Sequence, residues 1–206
     1  MADGLTHGLH ERLREVLPAG YAERLVPAEA LVIRWLETRT PSELAVYPHV
    51  VAIARGVIGE AFSARVITPG VTTTDDVAWY IRQRFESLGL APWFMPYVHY
   101  QRPGVECAKD EPNCGASGVI QPGDVLHTDV GICYLKLCTD TQEVAYVARL
   151  GEAAAPDGLQ AALRDGNRWQ DLLTAEFATG RTGNEVLART RAAAARAGIV
   201  SSTYSH

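Results

Sequence analysis

Gly123-Asp124-Val125-Leu126-His127-Thr128-Asp129-Val130-Gly131, followed by Leu137-Cys138-Thr139-Asp140-Thr141, is the stretch that decides the fold. Val125 to Tyr134 and Leu137 to Leu150 are rich in aromatic and β-branched residues and carry glycine at their borders, which predicts strands. Trp93 to Tyr100 predicts another. Two strands joined by a short turn place Asp129 and Asp140, eleven positions apart, side by side. If both carboxylates point into the core, they repel each other by roughly 4 kcal/mol at about 4 Å and an effective dielectric near 20. Either one carboxyl stays protonated or divalent cations sit between them, and hard oxygen ligands with imidazole suit Mn, Co or Zn. Taken alone, such a pair also reads as two solvated carboxylates at strand ends.

Working outward, the loop Arg102 to Pro122 precedes these strands, and helices flank the strands on both sides. Thr40-Pro41-Ser42-Glu43 has a hydroxyl cap, proline at the first helical position and a carboxylate three residues after the cap. Leu44, Tyr47, Val51, Ala54, Ile58 and Phe62 then recur at helical spacing, with Pro48 either kinking the helix or beginning it. Thr72 to Asp76 caps a second helix, whose buried face is expected to be Val77, Tyr80, Ile81, Phe85 and Leu88, ending at Gly89. Leu159, Leu163, Gly166, Trp169, Leu173 and Phe177 mark a third. Thr182 and Glu185 open a fourth, which closes at Gly198. The order predicts an α+β fold, helices covering one side of a largely antiparallel sheet. Residues 1–39 read as a helical lead-in and 40–206 as the main domain.

The chain has 206 residues, 47% of them apolar and 21% charged, with a formal net charge of −5. With no Lys/Arg cluster interleaved with aromatics, this balance argues against nucleic acid or an anionic membrane as partner. Met1 to Leu17 mixes both charges where a secretory signal needs an apolar core, so a cytoplasmic location is expected. No run approaching the roughly 18 apolar residues of a membrane span is read from the sequence. The cysteines Cys107, Cys114, Cys133 and Cys138 do not form two CxxC knuckles. Free thiols are expected, with a Cys107–Cys114 pair the alternative by spacing and Cys133 and Cys138 as packing residues. His127 faces the same side of its strand as Asp129 and reads as a residue that orients a carboxylate rather than a ligand. His7, His10 and His49 read as exposed, and Trp79, Trp93 and Trp169 as core.

Trp35-Leu36-Glu37-Thr38-Arg39-Thr40-Pro41-Ser42-Glu43-Leu44, Ile67-Thr68-Pro69-Gly70-Val71-Thr72 and Gly123 through Thr141 resemble consecutive blocks of the creatinase/aminopeptidase metallohydrolases, the pita-bread family M24. The resemblance covers about Arg34 to His206 and points to bacterial Xaa-Pro aminopeptidase-type proteins. It implies a pita-bread fold incomplete at the C-terminus, in a chain truncated at both ends. It also implies two divalent metal ions (Mn, Co or Zn), which two aspartates, one histidine and two glutamates hold in that family. The aspartates carry over onto Asp129 and Asp140 and the histidine onto His206, while the glutamates fall beyond the last residue. His99, in Val98-His99-Tyr100, resembles the family histidine that contacts substrate near the scissile bond. The implied activity is release of an amino-terminal residue before proline from a peptide substrate, with little turnover expected of this chain alone. A homodimer of the full-length protein is compatible with the resemblance. The rival readings are a creatinase-like C–N hydrolase and a catalytically dead pita-bread module that binds a partner.

Overall fold

The computed structural model describes residues 5–105 and 117–200. The chain divides into two units, Met1–His49 and Val50–His206. In the first, helix α1 (His7–Val16) is capped by Thr6, a 3-10 turn spans Ala22–Arg24, and α2 (Glu29–Glu37) leaves Leu31, Trp35 and Leu36 exposed. Helix α3 (Pro41–Ala61) starts where the sequence predicts. The Thr40 backbone N–H donates to Glu43 Oε2 at 2.6 Å, and the Glu43 N–H donates to Thr40 Oγ1 at 3.3 Å. Pro48 lies inside this helix without ending it. The Leu44 carbonyl that loses its partner there sits at an exposed residue, where water can serve it.

The buried stripe of α3 is Val50, Ala54, Val57, Ile58 and Ala61. Only Ala54 and Ile58 of the expected face belong to it, and Leu44 and Tyr47 are exposed. At 21 residues and a mean hydropathy of 1.2, α3 also meets the length and composition of a membrane-crossing helix, although Glu43 and Arg55 interrupt its apolar run. Its stripe instead joins the protein core.

Helix α4 (Thr74–Ser87) is held by a reciprocal cap: the Asp76 N–H donates to Thr73 Oγ1 at 3.1 Å and the Thr73 N–H to Asp76 Oδ2 at 2.9 Å. It buries Val77, Ala78, Ile81 and Phe85, while Leu88 is exposed. Gly89, at φ 71°, ends it. Two small antiparallel sheets follow. One has the order β2 (Tyr97–Gln101), β3 (Val125–Val130), β6 (Thr141–Tyr146). The other has the order β1 (Ala91–Pro92), β4 (Ile132–Tyr134), β5 (Leu137–Cys138). The predicted long strands are thus broken at Gly131 and at Thr139-Asp140. Trp93 lies outside every strand. Helices α5 (Asp157–Ala175) and α6 (Gly183–Arg196) close the described chain.

Strand β3 alternates cleanly. Leu126, Thr128 and Val130 are buried, as are Val98 of β2 and Ile132 of β4. Val125, His127 and Asp129 point to the opposite face and are half-buried. Thr182 and Glu185 form the expected reciprocal cap of α6, which buries Val186, Thr190 and Ala194. Helix α5 buries no residue, and its expected apolar positions Leu159, Leu163 and Phe177 are exposed. Trp79 and Trp93 are exposed too, 52% and 56%, which corrects their reading as core.

Candidate metal centre

The site begins with the placement of β3. Asp124, fully buried just before the strand, accepts two hydrogen bonds from one guanidinium: Arg102 Nε to Oδ1 at 2.8 Å and Nη2 to Oδ2 at 2.9 Å. The Gln121 N–H donates to the same carboxylate at 2.8 Å, and Arg102 Nη2 also donates to the Val119 carbonyl at 2.9 Å. Such a bidentate, charge-assisted pair fixes geometry as well as charge. It ties the loop before β3 to the end of β2, and Asp124 in turn holds the Arg102 guanidinium above its ordinary pKa.

At the other end of β3, Gly131 lets the chain change sheets. A Cβ there would lie 2.6 Å from both the Phe94 ring and the Thr139 carbonyl oxygen. The Gly131 carbonyl accepts from the Trp93 N–H at 2.8 Å, and the Ile132 carbonyl accepts from the Thr139 N–H at 2.8 Å. The hairpin β4–β5 then turns through Leu135 and Lys136, both at positive φ, 50° and 66°. Cys133 and Cys138 are cross-strand partners about this two-residue turn, with Cα atoms 4.0 Å apart, and form a disulfide. The expectation of free thiols at these positions is therefore wrong. Their symmetric placement about the turn was the signal, since a two-residue hairpin puts them directly opposite each other. Cys107 and Cys114 lie outside the described residues.

The hairpin returns the chain so that β6 pairs with β3, Thr141 opposite Val130 and Gln142 opposite Asp129. Asp140 directly precedes β6, two positions from Gln142, and so shares the face of Asp129 by strand parity. Burial, and then the charge of the nearby Asp140 carboxyl, raise the Asp129 pKa above the ordinary aspartate value. Gln142 Nε2 donates to Asp129 Oδ2 at 2.9 Å and pulls the other way, as does the charge of His127. Asp129 Oδ1 is buried without a protein hydrogen-bond partner.

His99, at the centre of β2, is the cross-strand partner of His127. Their ring centroids are 4.7 Å apart, and the Tyr97 ring is 4.9 Å from His99. Burial, then the charge of His127, lowers the His99 pKa. Nδ1 of each histidine is buried without a partner. Tyr97, His99, His127, Asp129 and Gln142 thus share one sheet face with Asp140. The sequence-predicted residues Asp129, Asp140 and His99 are brought to this face, while His206 lies outside the described residues. Among the described residues, no group of three or more His, Cys, Asp or Glu side chains converges as a complete metal set. The two carboxylates, one with an orphaned oxygen and a raised pKa, nevertheless fit a divalent cation, which would replace their repulsion by attraction. A groove of about 630 Å³ between α3 and β6, lined by Arg55, Phe62 and Glu143, is a separate concavity. Glu143 points to the opposite side of β6 from Gln142, and its charge is met by Arg55 Nε at 2.7 Å.

A profile of metallopeptidase family M24 matches residues 47–206. The chain belongs to this family. A curated relative, methionine aminopeptidase 1A of Arabidopsis thaliana, is 27% identical over 124 residues, 58% of this chain and 30% of that protein. Among solved structures, an X-Pro aminopeptidase from Thermotoga maritima superposes with a TM-score of 0.66 at 19% identity, covering 94% of this chain and 51% of that one. An Xaa-Pro dipeptidase from Bacillus anthracis does so with a TM-score of 0.66 at 21% identity, covering 95% and 51%. At these identities the structural likeness shows the fold, an α+β pita-bread arrangement. The M24 chain spans about half the length of these two structures and under a third of the curated relative.

Proposed function

We propose that this M24 protein contributes Asp129, Asp140 and His206 to a site for two divalent cations (Mn, Co or Zn), in an aminopeptidase that releases the residue preceding proline. The observation that carries this reading is the convergence of Asp129 and Asp140 on one sheet face, with one carboxyl oxygen buried and orphaned. When bound, such ions lower the pKa of a water toward neutrality and polarise a carbonyl. The protein's own residues prepare the site. Gln142 holds one oxygen of Asp129, which leaves the other free for a cation. His99, kept neutral by burial, presents an imidazole beside that pair to a peptide lying along the sheet face.

Proline specificity follows the two superposed structures, an X-Pro aminopeptidase and an Xaa-Pro dipeptidase, and an amino-terminal methionine, after the curated methionine aminopeptidase, is the competing preference. The test is a panel of short peptides with and without proline at the second position, including peptides that begin with methionine. In a protein that carries the whole metal set, chelator-sensitive cleavage confined to Xaa-Pro bonds, and lost in Asp140→Ala, is expected. Cleavage indifferent to the second residue would overturn the proline assignment. A protein that takes up no Mn, Co or Zn would favour the binding-module reading. A cytoplasmic setting rests on the mixed charge of the amino terminus, and the Cys133–Cys138 disulfide stands against it.

A further inference from the structure

Gln142 stands directly opposite Asp129 in the β3–β6 register, and His127 lies two residues before Asp129 on the same face. One glutamine side chain therefore reaches both, one across the strands and one diagonally. Its Nε2 donates to Asp129 Oδ2 at 2.9 Å, and its Oε1 lies 3.2 Å from His127 Nε2. The chemistry fixes the direction of this chain. The amide nitrogen is the end that lies on Asp129, where Oδ2 accepts from it. The amide oxygen is left for His127, and only a protonated Nε2 satisfies it. The His127 Nδ1 lone pair is then the free one, and that atom is buried without a partner beside the His99 ring.

We propose that Gln142 is a positioning residue: a single amide bridges Asp129 and His127, reserving Asp129 Oδ1 for a cation and fixing His127 with its proton on Nε2. The cation clause rests on the function proposed above, whereas the hydrogen-bonded chain does not. Gln142 is exposed at the outer strand of its sheet, so replacing it leaves the buried core intact. In metal sites generally, hydrogen-bond partners of a ligating carboxylate orient it and hold the affinity.

Two measurements on the full 206-residue chain decide the matter. Long-range ¹H–¹⁵N spectra of the imidazoles in metal-free protein, at a pH where His127 is neutral, should show the Nε2–H tautomer. A neutral imidazole favours that tautomer even unaided, so the bridge is read from its proton: Gln142→Met, close in shape and without either polar group, should speed exchange of the Nε2 proton with solvent, and an unchanged exchange rate would overturn the bridge. An Nδ1–H tautomer in the wild type would overturn the proposal, because it requires the amide to face the other way. Titration with Co²⁺ alone is the second readout. Gln142→Met and His127→Leu should each weaken binding about 10–100-fold, and the double variant should be no worse than Gln142→Met. His127→Gln, which can place an amide N–H where Nε2 stood, should recover most of the loss. Unchanged affinity in Gln142→Met would refute the positioning role. A wild-type chain that binds no Co²⁺ would sink the cation reading and with it the cation clause, while the tautomer and the exchange rate of its proton decide the hydrogen-bonded chain.

Discussion

Asp129 feels opposing influences: burial and the charge of Asp140 disfavour its ionised form, while Gln142 and the charge of His127 favour it, and the first pair prevails. A folded-state pKa above the unfolded one means that the ionised group destabilises the fold at neutral pH. That penalty is complete above the folded pKa and fades as pH falls toward the ordinary aspartate value of 3.8. Asp129→Asn is therefore expected to be more stable than the wild type in metal-free buffer at pH 7, and the gap should close as the pH is lowered toward that value. Urea unfolding at a series of pH values measures it, and a gap independent of pH would contradict the assignment. The pairing of Asp129 with Asp140 was legible in the sequence because strand parity and a hairpin suffice to bring them together. The role of Gln142 was not, because a side-chain bridge depends on the register of β3 against β6. Composition and spacing do not specify that register.

The elements were most legible where local chemistry decides. Thr40, Thr73 and Thr182, each with an acid three residues on, start helices where the structure has them, because these caps satisfy their own backbone donors within four residues. Buried faces were less legible. The α3 stripe falls on Val50, Ala54, Val57, Ile58 and Ala61, a choice made by the neighbouring elements and not by the period of the helix itself. The β4–β5 hairpin has the geometry of a mirror-image turn without its usual residues. Leu135 and Lys136 occupy positive-φ positions that favour asparagine and glycine. Replacing them by Leu135→Asn and Lys136→Gly should raise stability by about 1–2 kcal/mol, since each side-chain-bearing residue costs roughly 1 kcal/mol or more in the left-handed region and asparagine retains part of that cost. Thermal or urea unfolding checks it, and a loss of stability would mean that the Leu135 or Lys136 side chain makes contacts worth more than the backbone relief.

At the scale of the molecule, the alternation of β3 organises the protein: even-numbered residues enter the core and odd-numbered ones build the site face. The α+β class followed from the order of elements. What the sequence overstated was burial, since Trp79, Trp93, Leu159, Leu163 and Phe177 are all exposed. Apolar periodicity marks a face suited to burial but does not say what covers it. The chain spans about half the length of the superposed structures, and the peptidase function proposed above rests on whether the Asp129–Asp140 face takes up metal. Calorimetric titration of the wild type, Asp129→Ala and Asp140→Ala with Mn²⁺ and Co²⁺ tests that most directly. Saturable binding by the wild type, weakened at least about tenfold in each variant, is the predicted result. Absence of binding by the wild type, or equal binding by all three proteins, would contradict the account.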